Sequence, residues 1–281
     1  GRAPRAAVWV CGPTGDLQPA LALGLALRVR GFVVQLACNT NHIPAAERLG
    51  FPVVGFEPDS RKILQTEEGR KFMQGKAESS SLDVPFAGQV DRLRVLHEAC
   101  QRFKPDMILW PPLMRREAGI LELHLGICTV QYMLQPMCPT RDQPPYGFPS
   151  LPFGWNMRWW RLVNSMTLKD LKHQGGLLAS AAFGVDPFWA APADAWAHFS
   201  LMGSQRRLCI CGVSRHILPR VPPDWPRPTA TTGVHVTGWW ALDELEQSAA
   251  LDGRGGEADA AEAPALRRFL AAGDPPICIS W

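Results

Sequence analysis

Short apolar runs alternate with longer segments of helical character at the start of the chain. The first run, AAVWVC at residues 6–11, is continuous, which is typical of a parallel strand covered on both faces. The Leu/Ala-rich segment that follows has a proline in its first turn and ends in arginines and a glycine, so it predicts a helix with Asp16 or Gln18 as N-cap. Further strands are predicted at Phe32–Cys38 and Phe51–Phe56. The pattern therefore predicts a β-α-β-α-β opening with parallel connections.

The alternation resumes after a polar stretch, Glu57–Asp83, for which we expect a mobile excursion. An amphipathic helix (VDRLRVLHEACQRF), a strand (DMILW), a second helix (REAGILELHLG) and another strand (ICTVQYML) follow in order. Proline and tryptophan become frequent between Pro136 and Trp240, where the sequence predicts a helix at Met157–Lys172 and short strands at LCICGV and VHVTGWW. The chain is thus expected to form an α/β domain with a parallel sheet flanked by helices.

A change of composition near the end predicts a domain boundary. Residues 243–264 are rich in small and acidic side chains, as in a linker. Residues 265–281 then have the pattern of a short helix, a Gly-Asp-Pro-Pro turn and an apolar strand. We therefore expect one domain at residues 6–242 and the start of a second, truncated domain at 265–281.

Composition excludes several classes of function. A chain of 281 residues that is 46% hydrophobic can bury a full core, and a net charge of +3 gives no basic field of the kind that binds nucleic acid. The apolar stretches are shorter than the roughly 20 residues that cross a bilayer. The eight cysteines lack the spacing of a metal site or a disulfide scaffold. We therefore expect a cytoplasmic protein that binds no metal.

The turn after the first strand, GPTGDLQP at residues 12–19, is the most informative motif. Ligands of open α/β sheets bind at the carboxyl ends of the strands, and backbone amides at a helix start can hold an anion or a polarised hydroxyl. The turn is not a P-loop, because no Gly-Lys-Ser/Thr follows. A nicotinamide-binding reductase is disfavoured, because Gln18-Pro19 replaces the third glycine, no acidic residue ends the second strand, and neither tyrosine has a lysine four positions later.

At this motif the chain resembles the N-terminal domain of family-28 glycosyltransferases, which include sterol glucosyltransferases and glycopeptide-antibiotic glycosyltransferases. Their loop reads Gly-Ser/Thr-Arg-Gly-Asp-Val-Gln-Pro, against GPTGDLQP here, so this chain departs at Pro13 and Thr14. Blocks that resemble the family follow in its order and span nearly the whole chain: GFPVVGFEPD, FKPDMILWPPL, GICTVQYMLQPMCPTRDQPP, PRVPPDWPRPTATTGVHVTGWWALDE and FLAAGDPPICISW.

The resemblance implies a two-domain GT-B architecture with Rossmann-like halves. The acceptor would lie on the first domain and the UDP-sugar on the second, with inversion at the anomeric carbon and no cofactor or metal. Asp16 matches the family position proposed as the general base that takes the proton of the acceptor hydroxyl. A second interpretation stays open, in which Asp16 is an N-cap whose carboxylate accepts backbone hydrogen bonds and has a lowered pKa.

Further site residues are predicted around this loop and in the tryptophan-rich middle. His42 is either an acceptor contact or a solvent-exposed loop histidine, the interpretation we favour. Five tryptophans could line a groove for a flat apolar acceptor or simply pack: Trp155, Trp159, Trp160, Trp189 and Trp196. An exposed Trp159–Trp160 pair beside Arg158 and Arg161 would instead contact a membrane interface. The predicted acceptor-binding residues are Thr14, Gly15, Gln18, His42, Trp155 and Trp159, with Gly12 as a cofactor-binding position.

The sequence thus predicts the acceptor-binding part of a UDP-sugar-dependent hexosyltransferase acting on a sterol or other lipid-like hydroxyl. By itself the chain is expected to be inactive, because the donor site would lie in the second domain. An acceptor-binding subunit that pairs with a separate catalytic chain is the alternative. A reductase that binds NAD(P) is the less favoured one.

Overall fold

A computed structural model describes residues 1–74, 86–145, 147–192, 195–200 and 207–251, together with Arg268 and Ala272. Its strands are β1 Arg5–Trp9, β2 Val33–Asn39, β3 Val53–Phe56, β4 Met107–Trp110, β5 Cys128–Met133, β6 Leu208–Cys211 and β7 Gly233–Val236. Its helices are α1 Thr14–Val29, α2 Ile43–Arg48, α3 Ser60–Gln65, α4 Glu67–Met73, α5 Phe86–Phe103, α6 Arg115–Leu125, α7 Asn156–Phe183, α8 Pro187–Ala190 and α9 Glu244–Leu251.

The strands form one parallel sheet of seven strands in the order β3-β2-β1-β4-β5-β6-β7. This confirms the predicted α/β, Rossmann-like class with a parallel sheet flanked by helices. The continuous apolar run of β1 is explained by its place in the sheet, since Ala6, Val8 and Trp9 are all buried at its centre.

Two apolar cores lie on opposite faces of the sheet, because successive side chains of each strand point to opposite sides. On one face, Val8 and Leu36 pack with α1 and α2, and Ala250 of α9 joins them. On the other face, Trp9 and Trp110 pack with α5, α6, α7 and α8. The helices thus cover both faces and leave the carboxyl ends of the strands as the place for a site.

The structure differs from the sequence-based expectation at several boundaries. The predicted helix at Met157–Lys172 extends over Asn156–Phe183 and stops where Gly184 adopts a left-handed conformation with φ of 74°. Part of the predicted excursion forms α3 and α4, and its residues 75–83 lie outside the described part. The predicted linker begins with α9, whose Ala250 carbonyl accepts a hydrogen bond of 3.1 Å from Arg48.

The remaining residues of the predicted linker, up to residue 264, lie outside the described residues. So does almost all of the predicted second domain at 265–281, and its assignment stays a prediction. Among the described residues, none of the helices has the length and apolar character needed to cross a membrane.

Candidate functional site

The strand order reverses between β1 and β4, which are neighbours in the sheet although they are distant in sequence. In open α/β sheets, the loops that leave the two strands at such a switch point diverge and open a crevice at the carboxyl edge. Here those loops are the Gly12 turn after β1 and the Pro111-Pro112 turn after β4. The motif that the sequence singled out therefore lies at the place where the fold favours ligand binding.

The Gly12 turn is held by the end of β2. The Gly12 amide donates a hydrogen bond of 3.0 Å to Oδ1 of Asn39, and Nε2 of His42 lies 2.8 Å from the Gly12 carbonyl oxygen. Nδ2 of Asn39 donates in turn to the Pro58 carbonyl at 2.7 Å. Gly12 has a φ of 136°, a backbone conformation that residues other than glycine rarely adopt. Both polar groups of the Gly12 backbone are thus fixed by side chains from the end of the neighbouring strand and the turn after it.

His42 corrects our expectation of a solvent-exposed loop histidine. Its side chain is 1% exposed and lies in the one-turn 3₁₀ helix Thr40–His42 between β2 and α2. The reason is tertiary, since the imidazole is buried by its contact with the Gly12 turn, 30 residues earlier in the chain. His42 therefore positions the turn, and a contact of His42 with an acceptor stays a prediction.

Asp16 occupies the third position of α1, and Pro13 is the N-cap. The predicted capping role of Asp16 or Gln18 is therefore wrong, because the helix begins before either residue and its N-cap makes no side-chain hydrogen bond. The Asp16 carboxylate lies over Gly12, in the space that a β-carbon there would fill. Burial raises its pKa from 3.8 to about 6. The carboxylate is therefore ionised at neutral pH, yet basic enough to accept a proton.

The other residues predicted from the loop lie beside Asp16 in the first turns of α1. Thr14 and Gln18 are partly buried, whereas Gly15 is exposed and has open space around its Cα. The structure thus brings together Gly12, Thr14, Gly15, Asp16, Gln18 and His42 at one edge of the sheet. Their roles toward a ligand stay predictions.

A cavity of about 340 Å³ opens at the switch point beside this loop. Cys11, the residue before Gly12, lines it together with Pro112 and Leu113 from the turn after β4. The rest of the wall comes from the first turn of α6 and from residues of α5 and α7. Burial raises the pKa of Cys11 to about 11, with a smaller contribution from the charge of Asp16, so the thiol is neutral. Cys11 thus connects the surroundings of Asp16 to the cavity.

Five charged side chains line this cavity, which the sequence did not predict. Arg92 of α5 and Glu117 of α6 form a buried ion pair, with 9% and 1% of their surfaces exposed. Arg116 pairs with Asp170 of α7 at 3.0 Å. Arg115 also lines the cavity. Within amphipathic helices these charges look like ordinary surface residues, and the one available signal was Glu117, which directly precedes the apolar residues AGIL.

A second cavity, of about 450 Å³ and mostly apolar, follows the carboxyl end of β5. Trp160, Phe148 and Met137 contribute to its wall, and Thr167 lines both cavities. Trp160 is thus one of the tryptophans predicted to line a groove, but it is only 7% exposed, so the expectation of an exposed Trp159–Trp160 pair is wrong for Trp160.

Trp155 and Trp159 lie near the start of α7 without lining either cavity. Trp155 is 48% exposed and has the Arg158 guanidinium 4.3 Å above its ring. The indole N–H of Trp159 donates to the Pro149 carbonyl at 3.1 Å, which fixes the loop before α7. An acceptor role for these two residues stays a prediction.

No protein-family model and no curated protein matches the chain. Among solved structures, it is similar to the glycotransferase of kitacinnamycin, with 17% identity and a TM-score of 0.46 over 80% of this chain and 49% of that one. A Streptomyces glycosyltransferase in complex with thymidine diphosphate has 17% identity and a TM-score of 0.41, over 79% of this chain and 50% of that one. The spinosyn forosaminyltransferase has 13% identity and a TM-score of 0.46, over 79% of this chain and 48% of that one. The chain thus spans about half the length of these proteins, and likeness at this level assigns no function.

Proposed function

We propose that this chain is the acceptor-binding half of a sugar-nucleotide-dependent glycosyltransferase with GT-B architecture. The observation that carries the proposal is the Asp16 carboxylate at the carboxyl edge of β1, with its pKa raised to about 6 by burial. An inverting transfer needs a base that removes the proton of the acceptor hydroxyl as it attacks the anomeric carbon. A carboxylate of this pKa beside the cavity at the switch point fits that task.

The construction of the Gly12 turn supports the same role for Asp16. The side chains of Asn39 and His42 fix both backbone polar groups of Gly12, and the carboxylate lies directly over this residue. The base is therefore preorganised, since a loop that moved would carry the carboxylate away from the hydroxyl. The ordered sequence blocks that resemble family-28 glycosyltransferases support the same assignment independently.

The apolar cavity supports a lipid-like acceptor. Its wall of Trp160, Phe148, Met137 and prolines suits the apolar body of a sterol or similar molecule. Close to it, Phe153 is 90% exposed and Trp155 is half-exposed, beside the cations of Arg141 and Arg158. Exposed aromatic rings next to arginines are typical of contact with a membrane surface, where such an acceptor would be found. In this proposal the donor is UDP-glucose or a related sugar nucleotide held by a second domain.

Transfer assays test the proposal. The chain is joined to the donor-binding domain of an inverting glycosyltransferase and assayed with UDP-glucose and a panel of hydroxylated lipids. We expect glucoside formation above that of the donor domain alone, and loss of most turnover in Asp16→Asn with little change in acceptor affinity. Asp91→Asn, at an exposed carboxylate of α5, is the matched control.

Two outcomes would contradict the proposal. If product formation were no greater than that of the donor domain alone, the chain would not be an acceptor-binding half. If Asp16→Asn and its parent had equal turnover, Asp16 would not be the base. The same donor domain supplied as a separate chain distinguishes a covalent half from a subunit of a bipartite enzyme. The chain alone is expected to bind no UDP-glucose in calorimetry.

A further inference from the structure

Charge within the cavity at the switch point is not balanced among the described residues. Of the three arginines in its wall, Arg92 is paired with Glu117 and Arg116 with Asp170. Arg115 takes part in none of the ion pairs formed by the part of the chain that the structure describes. The cavity therefore retains a single positive charge after its own pairs are counted.

Arg92, Arg115 and Arg207 each have a buried Nε without a hydrogen-bond partner, but Arg92 and Arg207 form ion pairs and Arg115 forms none among the described residues. The Arg115 side chain as a whole reaches partial exposure through the cavity. The nearby Arg207 is a second cation, but it pairs with Glu122 at 3.5 Å. Burial lowers the pKa of Arg115 to about 10, which leaves it charged at neutral pH. A buried cation without a partner is unfavourable unless a ligand supplies the opposite charge.

The backbone adds to this positive character. Arg115 begins α6, and the N-cap Met114 makes no side-chain hydrogen bond to the first turn of this helix of 11 residues. Pro112 and Leu113 before that turn, and Arg115, Arg116 and Glu117 within it, line the cavity. The Arg115 amide already donates to the Pro112 carbonyl of the preceding 3₁₀ turn, so the backbone contributes through the positive end of the helix dipole, which favours an anion there. The unpaired guanidinium and the helix start thus act at the same cavity.

We propose that this cavity is a carboxylate subsite, in which Arg115 binds a carboxylate group of the acceptor molecule. A carboxylate carries one negative charge, which equals the single uncompensated positive charge, whereas a phosphate monoester would add nearly two. The planar guanidinium matches a carboxylate with two parallel hydrogen bonds. The cavity volume of about 340 Å³ holds such a group and its first ring or chain atoms.

The neighbouring cavity extends the inference to a class of acceptor, and this step rests on the proposed function. Thr167 lines both cavities, so a molecule with its acid group beside Arg115 would place its apolar body against Trp160. The substrate would then be an amphipathic hydroxy acid, in contrast to the neutral sterol that the sequence suggests. Steroid carboxylic acids are one class with this chemistry.

Calorimetry on the 281-residue chain tests the subsite without any sugar transfer. The probes are cholic acid and its methyl ester, which differ only in the charge of the acid group, both below their micellar concentrations. We expect the acid to bind about tenfold or more tighter than the ester, as for hydrogen bonds between charged groups. Arg115→Met should abolish this preference, Arg115→Lys should keep part of it, and Arg102→Gln, at an exposed arginine of α5, should keep all of it.

Thermal unfolding separates a binding role of Arg115 from a structural one. If the charge serves a ligand, Arg115→Met should unfold at a temperature equal to or above that of the parent, because an uncompensated buried charge is removed. Equal affinity for acid and ester, or a preference that persists in Arg115→Met, would overturn the carboxylate subsite while leaving the glycosyltransferase proposal intact. Conversely, an arginine-dependent preference for the acid would stand even if the joined enzyme transferred no sugar.

Discussion

The Asp16 carboxylate occupies the space beside Gly12 that a β-carbon at that position would fill. The glycine is therefore needed twice, once for its φ of 136° and once for the absence of a side chain under the carboxylate. This relationship couples the conformation of the turn to the position of the proposed base. It also makes the turn sensitive to the smallest possible substitution.

Gly12→Ala should therefore displace the turn and destabilise the fold. The new methyl group would meet the Asp16 carboxylate and the backbone would be strained, for a loss of about 1–3 kcal/mol in the free energy of unfolding. Denaturant unfolding monitored by tryptophan fluorescence measures this. Gly15→Ala, three residues later in the same motif, is the matched control, because it has open space around it and gains helix propensity. Equal stability of the two variants would refute the coupling.

Asp16→Asn should stabilise the fold at neutral pH but not in acid. Because the pKa of Asp16 rises from 3.8 to about 6 on folding, the cost of burying its charge is absent below pH 3.8 and complete above about pH 6. The variant should thus gain roughly 1–3 kcal/mol at pH 7.5 and nothing near pH 3.8. Denaturant unfolding across this pH range measures the difference, and a gain that does not vary with pH would argue against a raised pKa.

In the joined enzyme, the same pKa predicts the pH dependence of transfer. The base must be ionised, so kcat/KM should rise with pH through about 6 and then level off. Initial rates measured from pH 4.5 to 8, with an acceptor that is chemically stable over this range, would show the rise in kcat/KM. A rise in kcat/KM near pH 4 would instead indicate a base whose carboxyl pKa is not raised by burial.

His42→Phe should loosen the Gly12 turn. The substitution keeps a ring in the buried site but removes the hydrogen bond to the Gly12 carbonyl, so we expect a loss of about 1–3 kcal/mol in stability. In denaturant unfolding, His42→Phe should have a lower free energy of unfolding than His216→Phe, a control at an exposed histidine. If the two variants were equally stable, the contact between His42 and Gly12 would not contribute to the fold.

Breaking the Arg92–Glu117 pair from one side should be far more harmful than removing it whole. Arg92→Met leaves the Glu117 charge buried without its partner, at a cost of about 3–5 kcal/mol, whereas the double variant with Glu117→Met should lose much less. A double-mutant cycle in denaturant measures the coupling. Lys71→Met, which breaks an exposed pair with Glu67, should change stability by less than about 1 kcal/mol. Additive effects of the Arg92 and Glu117 substitutions would contradict the pairing.

Local patterns in the sequence were sufficient for the class of fold. The apolar run before Gly12, the helix after it and the repeated alternation of strand and helix predicted a parallel sheet flanked by helices, which the structure confirms. These features follow from periodicity and turn chemistry within a few residues. The placement of the Gly12 turn at the carboxyl end of β1 follows from the same local information.

What the sequence determined by itself is therefore the order of the elements and the loop that carries Asp16. The burial of His42, the raised pKa of Asp16 and the cavity with the unpaired Arg115 were decided by tertiary structure alone. Each of them depends on which residues from distant parts of the chain meet at the edge where β1 and β4 separate. The extent to which a group is desolvated and the charges with which it pairs depend on these tertiary contacts. A charged residue in an amphipathic helix looks the same in sequence whether it faces water or a cavity.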